Sequence, residues 1–336
     1  MYTEKEAIDS LRFLLPQNCN EWLPLDKGLK YRLSRSGHIL GSTFVEIGYD
    51  NHVDSRTLLF SGDLGRPNPI LLKERMQIVE ADDVVIESTY GDRVHSKDDI
   101  MEQLASTINK VLKREGTLVI PAFSVGRTQD ILFMIRTLEA EGKIDSVKVY
   151  LDSPMALRAS ELYLKYESEI KPKWSEDQIR SSFNWKNFIP VNSTDDSMLL
   201  CMDDSPKIVV SASGMLSGGR VLHHLKAKLP GTKNGVLFVA YQPPGTKGYL
   251  LKNGLNKIRI HHQQIDVEAE ISSIESLSAH ADSNEIIDWL RAFRKKPKRV
   301  FINHGEPNSR RALAYRIKNE LSLNPVIPAE NEAIKL

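Results

Sequence analysis

"TLVIPAFSVGRTQDILFMIRTLEAEG", residues 117–142, decides the fold. After Thr117 its next six residues are an apolar run of strand length, the pattern of a strand buried on both faces. From Arg127 the spacing turns helical, and Gly142 supplies a stop. The same alternation recurs downstream. "VKVYLDS" (147–153) reads as a strand, and Ser153-Pro154 opens a helix with proline in its first turn. "KIVVSASG" (207–214) precedes the helical "GRVLHHLKAKL" (219–229), and "GVLFVAYQ" (235–242) follows. Upstream, Ser96 with Asp99 reads as a capping-box start, and Ile100, Leu104, Ile108 and Val111 share one helical face. Strands alternating with helices predict an α/β unit with a mostly parallel sheet covered on both faces. Such sheets bind ligands at the carboxyl ends of their strands. Here those ends carry "PAFSVGR", "LDSP", "SASGMLSGGR" and "YQPPGTKG", rich in Gly, Ser and Thr and mostly ending in Arg or Lys.

Working outward, the texture changes on both sides. Residues 30–90 read as strands and loops, in "TFVEIGYD", "TLLFSGD" and "DVVIEST". After residue 255, "KIRIHHQQIDVEAEISSIESLSAHAD" is strand-rich, and a helix over 283–295 capped by Asp282 or Ser283 follows. Strand "RVFINHGE" and helix "NSRRALAYRIKNEL" close the chain. The Trp-bearing stretch 170–200 is ambiguous. The layout predicted is a discontinuous domain, 1–92 with 265–336, and an α/β insertion over 93–264.

The bulk numbers exclude several classes. In 336 residues, 45 Lys and Arg balance 44 Asp and Glu for a net charge of +1, so no global field draws the chain to nucleic acid or membrane. Any anion site must be local. Cys19 and Cys201 are too few for a disulfide framework or a Cys-based zinc site, which fits a reducing, cytoplasmic setting. The opening "MYTEKEAIDSLRFLL" is not a signal peptide, and no run approaches the ~20 apolar residues that span a bilayer, so no membrane partner is expected.

Nine histidines are candidates for chemistry. The adjacent pairs His223-His224 and His261-His262 are poor chelators, because neighbouring side chains diverge. They read as exposed or half-buried polar positions, as do His52 and His95 in polar turns. Three others differ. His38 in "SGHILGS", His280 in "LSAHAD" and His304 in "INHGE" follow apolar runs and sit beside small residues. Asp63 in "FSGDLG" and Glu87 in "IESTYG" share that setting. Three imidazoles and two carboxylates at strand ends suit zinc.

These positions carry a resemblance. In order, "SGHILGS", "FSGDLG", "IESTYG", "SLSAHAD" and "INHGE" resemble the later motifs of the metallo-β-lactamase superfamily in its β-CASP branch of RNA-processing nucleases. The relatives suggested are bacterial and archaeal members akin to the polyadenylation cleavage factor endonuclease. "PAFSVGRTQDIL" and "SASGMLSGGRVLHHL" resemble the inserted β-CASP domain. The resemblance implies a partial αββα domain plus the insertion, a two-zinc centre and RNA phosphodiester hydrolysis. His38, Asp63 and His304 would be metal ligands, with Asp63 bridging. His280 would be general acid and Glu87 would orient it. Ser124, Arg127, Ser213, Gly214 and Arg220 would bind substrate phosphates. A histidine at position 304 favours RNA over DNA. A homodimer is possible.

One motif of that pattern, His-x-His-x-Asp-His, does not occur in these residues. The resemblance implies that the opening sheet and metal loop are absent, leaving two protein ligands per zinc against the usual three. Weak zinc binding and little activity are therefore expected of this chain alone. The alternative reading is a non-catalytic RNA-binding or scaffolding module. A small-molecule hydrolase is disfavoured by the insertion over the cleft, and a Rossmann-type enzyme by the lack of G-x-G-x-x-G.

Overall fold

The computed structural model describes residues 2–50 and 55–335; His52 lies outside them. Fifteen strands are described, in two large sheets and one hairpin. The first sheet takes β1 (Leu23–Pro24), β2 (Leu29–Arg35), β3 (Thr43–Asp50), β4 (Ser55–Phe60) and β5 (Asp83–Ile86) from the start of the chain. The next five strands are β6 (Thr117–Pro121), β7 (Val149–Asp152), β8 (Phe188–Pro190), β9 (Lys207–Ser211) and β10 (Gly235–Phe238). Then come the hairpin β11 (Lys257–Ile260) and β12 (Gln263–Asp266), followed by β13 (Glu270–Ser273), β14 (Arg299–Ile302) and β15 (Pro325–Val326). The first sheet runs β1-β2-β3-β4-β5-β14-β15, so both ends of the chain build it. The second runs β13-β10-β6-β9-β7-β8, and all its pairings are parallel.

The second sheet is the α/β unit the sequence predicts. Strands β6, β9 and β10 are buried at every position, because helices lie on both faces. Helices Ile100–Lys113 and Arg127–Ala140 cover one side with Leu104, Ile108, Ile131 and Leu138, and Val221–Lys228 covers the other with Leu222 and Leu225. The first of these helices starts one turn later than Ser96 suggests. Asp99 is its cap, taking the N–H groups of Met101 and Glu102 at 2.8 and 3.2 Å, while the Ser96 hydroxyl goes to Asp98. The ambiguous stretch resolves into helices Glu176–Ser181 and Thr194–Met202 around β8.

The first sheet is covered on one face. Phe44, Leu59, Val84, Ile86, Val300 and Ile302 pack against helices Ser283–Arg291 and Pro307–Leu321 through Ile286, Trp289, Leu313 and Ile317. The former helix is capped by Asp282 and ends at Arg291, short of the expected 295. On the opposite face the register aligns Leu33, Val45 and Phe60 with Val85, and Ile47 with Leu58, all half-buried. No described helix is long and apolar enough to span a membrane.

Candidate metal and phosphodiester site

The site forms where β2, β4, β5 and β14 end. After β2, Gly37 and Gly41 take positive φ, and the loop closes on itself through Ser36 N–H to Ser42 O at 3.0 Å and Ser36 Oγ to Ser42 Oγ at 2.9 Å. His38 sits on that closed loop. After β4 the chain carries Asp63 into the same space. Gly65 then donates its N–H to Ser36 O at 2.9 Å, and Ala281 N–H donates to Leu64 O at 2.8 Å. A Cβ on Gly65 would lie 2.2 Å from the Gly37 carbonyl carbon, so only glycine lets the His38 and Asp63 loops touch. After β5, Glu87 accepts the Leu64 N–H at 2.6 Å. After β14, His304 adopts a left-handed φ of 43°, and its carbonyl takes the Ser88 N–H at 2.7 Å. That sparsely populated conformation in a non-glycine residue is often found at functional sites.

Two imidazoles flank one carboxylate. His38 Nε2 lies 3.5 Å from Asp63 Oδ2, and His304 Nε2 lies 3.6 Å from Asp63 Oδ1. Both separations are long for hydrogen bonds. They are close to the ~3.4 Å edge of a tetrahedron whose corners stand about 2.0–2.1 Å from a zinc ion. The donor set therefore fits zinc on each side of Asp63, with two donors per ion. A third, His280, joins His38 and Asp63 in a group whose ligand atoms lie within 4.8 Å of one another. His280 Nδ1 stands 3.0 and 2.9 Å from the two Glu87 oxygens. An ionised carboxylate only accepts, so Nδ1 is the donor and Nε2 is the nitrogen left for chemistry.

The electrostatics separate the histidines. Burial pushes His38 down to about 4, helped by the His280 charge 4.4 Å away ring to ring. His38 is thus a neutral ligand-type imidazole across the physiological range, and its buried Nδ1 has no hydrogen-bond partner. Burial also works against charge on His280, but the hydrogen bond and charge of Glu87 outweigh it and raise the pKa. Glu87 is held the opposite way: burial raises it, and the His280 contact lowers it further still, to below its ordinary value.

His38, Asp63, His280 and His304, but not Glu87, line a cavity of about 750 Å3 between the two sheets. Ser124, Arg127 and Ser213 line it as well. Arg127 is 7% exposed, with Asp130 at 3.3 Å as its ion-pair partner. Gly214 is buried behind the wall, its carbonyl taking the Gln242 amide at 2.9 Å. Arg220 is turned away from the cavity, to Asp152 at 2.8 Å and the carbonyls of Val191 and Asn192. Two histidines assigned to polar positions are more embedded than expected. His95 is buried, with Nε2 3.0 Å from His280 O, so it braces the His280 backbone. His224 is fully buried between Asp152 at 2.6 Å and Cys201 at 3.3 Å. Adjacency to His223 hid His224 and a polar turn hid His95, and the partners of both are remote in the chain. The cavity's Thr89, with a buried and unpartnered hydroxyl, carried no sequence signal beyond its place in "IESTYG".

Comparison with known proteins identifies the family. Residues 128–251 match the Beta-Casp domain, and residues 264–328 match the Zn-dependent metallo-hydrolase RNA specificity domain. Over 314 residues the chain is 33% identical to Ribonuclease TTHA0252 of Thermus thermophilus, covering 92% of this chain and 70% of that protein. It is 28% identical to an RNase J-like protein of Methanocaldococcus jannaschii across 100% of this chain and 77% of the other. Transcription termination factor FttA of Pyrococcus abyssi is 27% identical over the whole chain, which spans 53% of that factor.

Proposed function

Because this chain belongs to the β-CASP branch of the metallo-β-lactamase superfamily of RNA nucleases, we propose that it serves zinc-dependent hydrolysis of RNA phosphodiesters at the Asp63 site. The observation that carries this is the pair of 3.5 and 3.6 Å approaches of His38 and His304 to opposite oxygens of one carboxylate. In this reading His38 and Asp63 would hold one zinc, and Asp63 and His304 the other. Zinc bound there would lower the pKa of a water and offset phosphate charge. The chain's own groups do the rest. His280 keeps Nδ1 on Glu87 and offers the Nε2 proton to the departing oxygen. Glu87, fixed by the Leu64 N–H, holds that ring in place and favours its charged form. Arg127 contributes guanidinium N–H groups toward a non-bridging oxygen from the cavity wall.

The division into 1–92 with 265–336, and 93–264, belongs to the same proposal. Sheet membership of β1–β5, β14 and β15 supports it; β13, at 270–273, pairs into the other sheet. Two free cysteines favour a cytoplasmic setting.

Zinc titration by calorimetry, beside RNA binding, tests the reading. Two donors per ion predict weak, reversible zinc binding by the 336 residues, abolished by Asp63→Ala, with RNA binding retained. Zinc binding unchanged in Asp63→Ala would remove the site from the proposal, and failure to bind RNA would remove the substrate.

A further inference from the structure

The cavity has two unlike ends. One holds His38, Asp63, His280 and His304; the other is built from the carboxyl edge of the second sheet. There, four adjacent strands each deliver one bulky apolar side chain to the cavity. In sheet order β10-β6-β9-β7 these are Tyr241, Phe123, Met215 and Met155. Each strand end also carries a small or aliphatic neighbour that is fully buried: Val239, Ala122, Leu216 and Ala156 are all at 0% exposure. The chain thus buries one side chain at each strand end and turns the large one outward. Phe123 is 40% exposed and Met155 is 67% exposed, so both offer apolar surface to an occupant of the cavity.

Little charge stands free on this wall: Arg127, which lines the cavity, is 7% exposed and paired with Asp130. Arg220, the cation at its edge, is committed to Asp152 and two backbone carbonyls. Tyr241 is ordered from behind, with Tyr90 at 5.5 Å ring to ring and the Arg93 guanidinium 5.6 Å above it. Parallel strands stand about 4.8 Å apart, so the row offers several dispersive faces in succession within one cavity.

We propose that this row is a base-stacking platform for single-stranded RNA, with Phe123 as its principal face and Met155 as its outer end. The proposal rests on the nuclease reading above. A strand whose phosphate lies among the histidines must place its neighbouring bases somewhere, and this row carries the aromatic and the longest apolar side chains that line the cavity beyond that end. Base stacking on aromatic side chains is tolerant of sequence. The row therefore positions and discriminates by stacking strength, while the histidine end handles the phosphate.

The experiment uses the 336-residue chain and single-stranded RNA oligonucleotides carrying 2-aminopurine at successive positions. Binding is expected to quench the probe at one or two adjacent positions. Phe123→Ala should weaken affinity about ten-fold and remove the quench at one position, whereas Phe123→Trp should keep both. An abasic residue at that position should weaken wild-type binding and leave Phe123→Ala binding unchanged. Met155→Ala should relieve quenching at the outer position; its exposure makes it the decisive variant should Phe123→Ala fail to fold. Wild-type binding with undiminished affinity and quench in both alanine variants overturns the platform and leaves the RNA reading standing. No RNA binding by the wild type overturns both.

Discussion

Strand β6 and strand β4 make the same kind of apolar surface and meet different fates. In β6, Leu118, Val119 and Ile120 are all at 0% exposure, because helices lie on both sides. In β4, Leu59 is at 0% and its neighbour Leu58 is half-buried, because only one side is covered. The second sheet is a three-layer unit, and its buried carboxylate Asp152 is fully paired. Asp152 is fully buried and accepts from Arg220, His224 and Ser197 at 2.8, 2.6 and 2.5 Å. The first sheet holds the histidine and carboxylate cluster beside a half-open face, and there the buried His38 Nδ1 has no partner. The comparison teaches that stability and chemistry are divided. One region is stable by enclosure, and the other gathers three histidines and Asp63 at the cavity.

The largest effect that could break this contrast is at Asp152. Asp152→Asn removes a charge that three donors share, and breaking a buried pair costs about 3–5 kcal/mol. Urea unfolding at neutral pH measures it. The pH dependence has a fixed sign. Burial raises the Asp152 pKa, but the bonds from His224, Ser197 and Arg220 outweigh it and hold the carboxyl below its ordinary value of 3.8. Its contribution is thus complete above the unfolded value and is lost as pH falls through the folded one. The gap between wild type and Asp152→Asn should hold from neutral pH to near that ordinary value and narrow below it. A gap already closed at pH 6 would mean that the network is not what anchors the second sheet.

Next in size is Leu59→Ala, on the covered face of the first sheet. Truncating a fully buried leucine costs about 2–5 kcal/mol, more where the space cannot collapse. Ile208→Ala, at 0% exposure in β9, should fall in the same range. Equal losses would show that the helix-covered side of the first sheet is as well packed as the enclosed unit. A clearly smaller loss for Leu59→Ala would extend the incompleteness of the first region to both its faces.

What was legible in the sequence follows the same division. The second sheet could be read because burial on both faces writes continuous apolar runs, such as 118–123, and helices announce themselves by caps and glycine stops. The Ser153-Pro154 helix start holds, with Ser153 taking the Ala156 N–H at 3.3 Å. The histidine and carboxylate cluster was legible from small residues around polar ones at strand ends. What escaped depends on long-range contacts. His224 meets an aspartate 72 positions away, and His95 meets a carbonyl 185 positions away. Nothing local distinguishes a histidine braced in this way from one in a solvated turn. Arg220 reads as a phosphate contact because it follows a glycine-rich loop, but a buried carboxylate nearby takes a guanidinium first. Trp174 made its segment ambiguous for a similar reason: its indole N–H reaches Ile70 O at 2.9 Å, pinning a loop rather than an element.

The smallest effect is the sharpest. Leu58 and Leu59 are adjacent, chemically identical and on opposite faces of one strand. Leu58 lies in register with Ile47 on the half-open face. Truncating it removes methyl groups that are partly hydrated already, and water fills the space, so no cavity term arises. Leu58→Ala should therefore cost about 1 kcal/mol or less. That loss should not depend on protein concentration. A loss matching that of Leu59→Ala would mean that the face is covered in solution. A melting temperature that then rises with protein concentration would identify a second copy of the chain as the cover, since association stabilises by mass action. In that event the contrast between the two sheets would belong to the single chain and not to its assembled form.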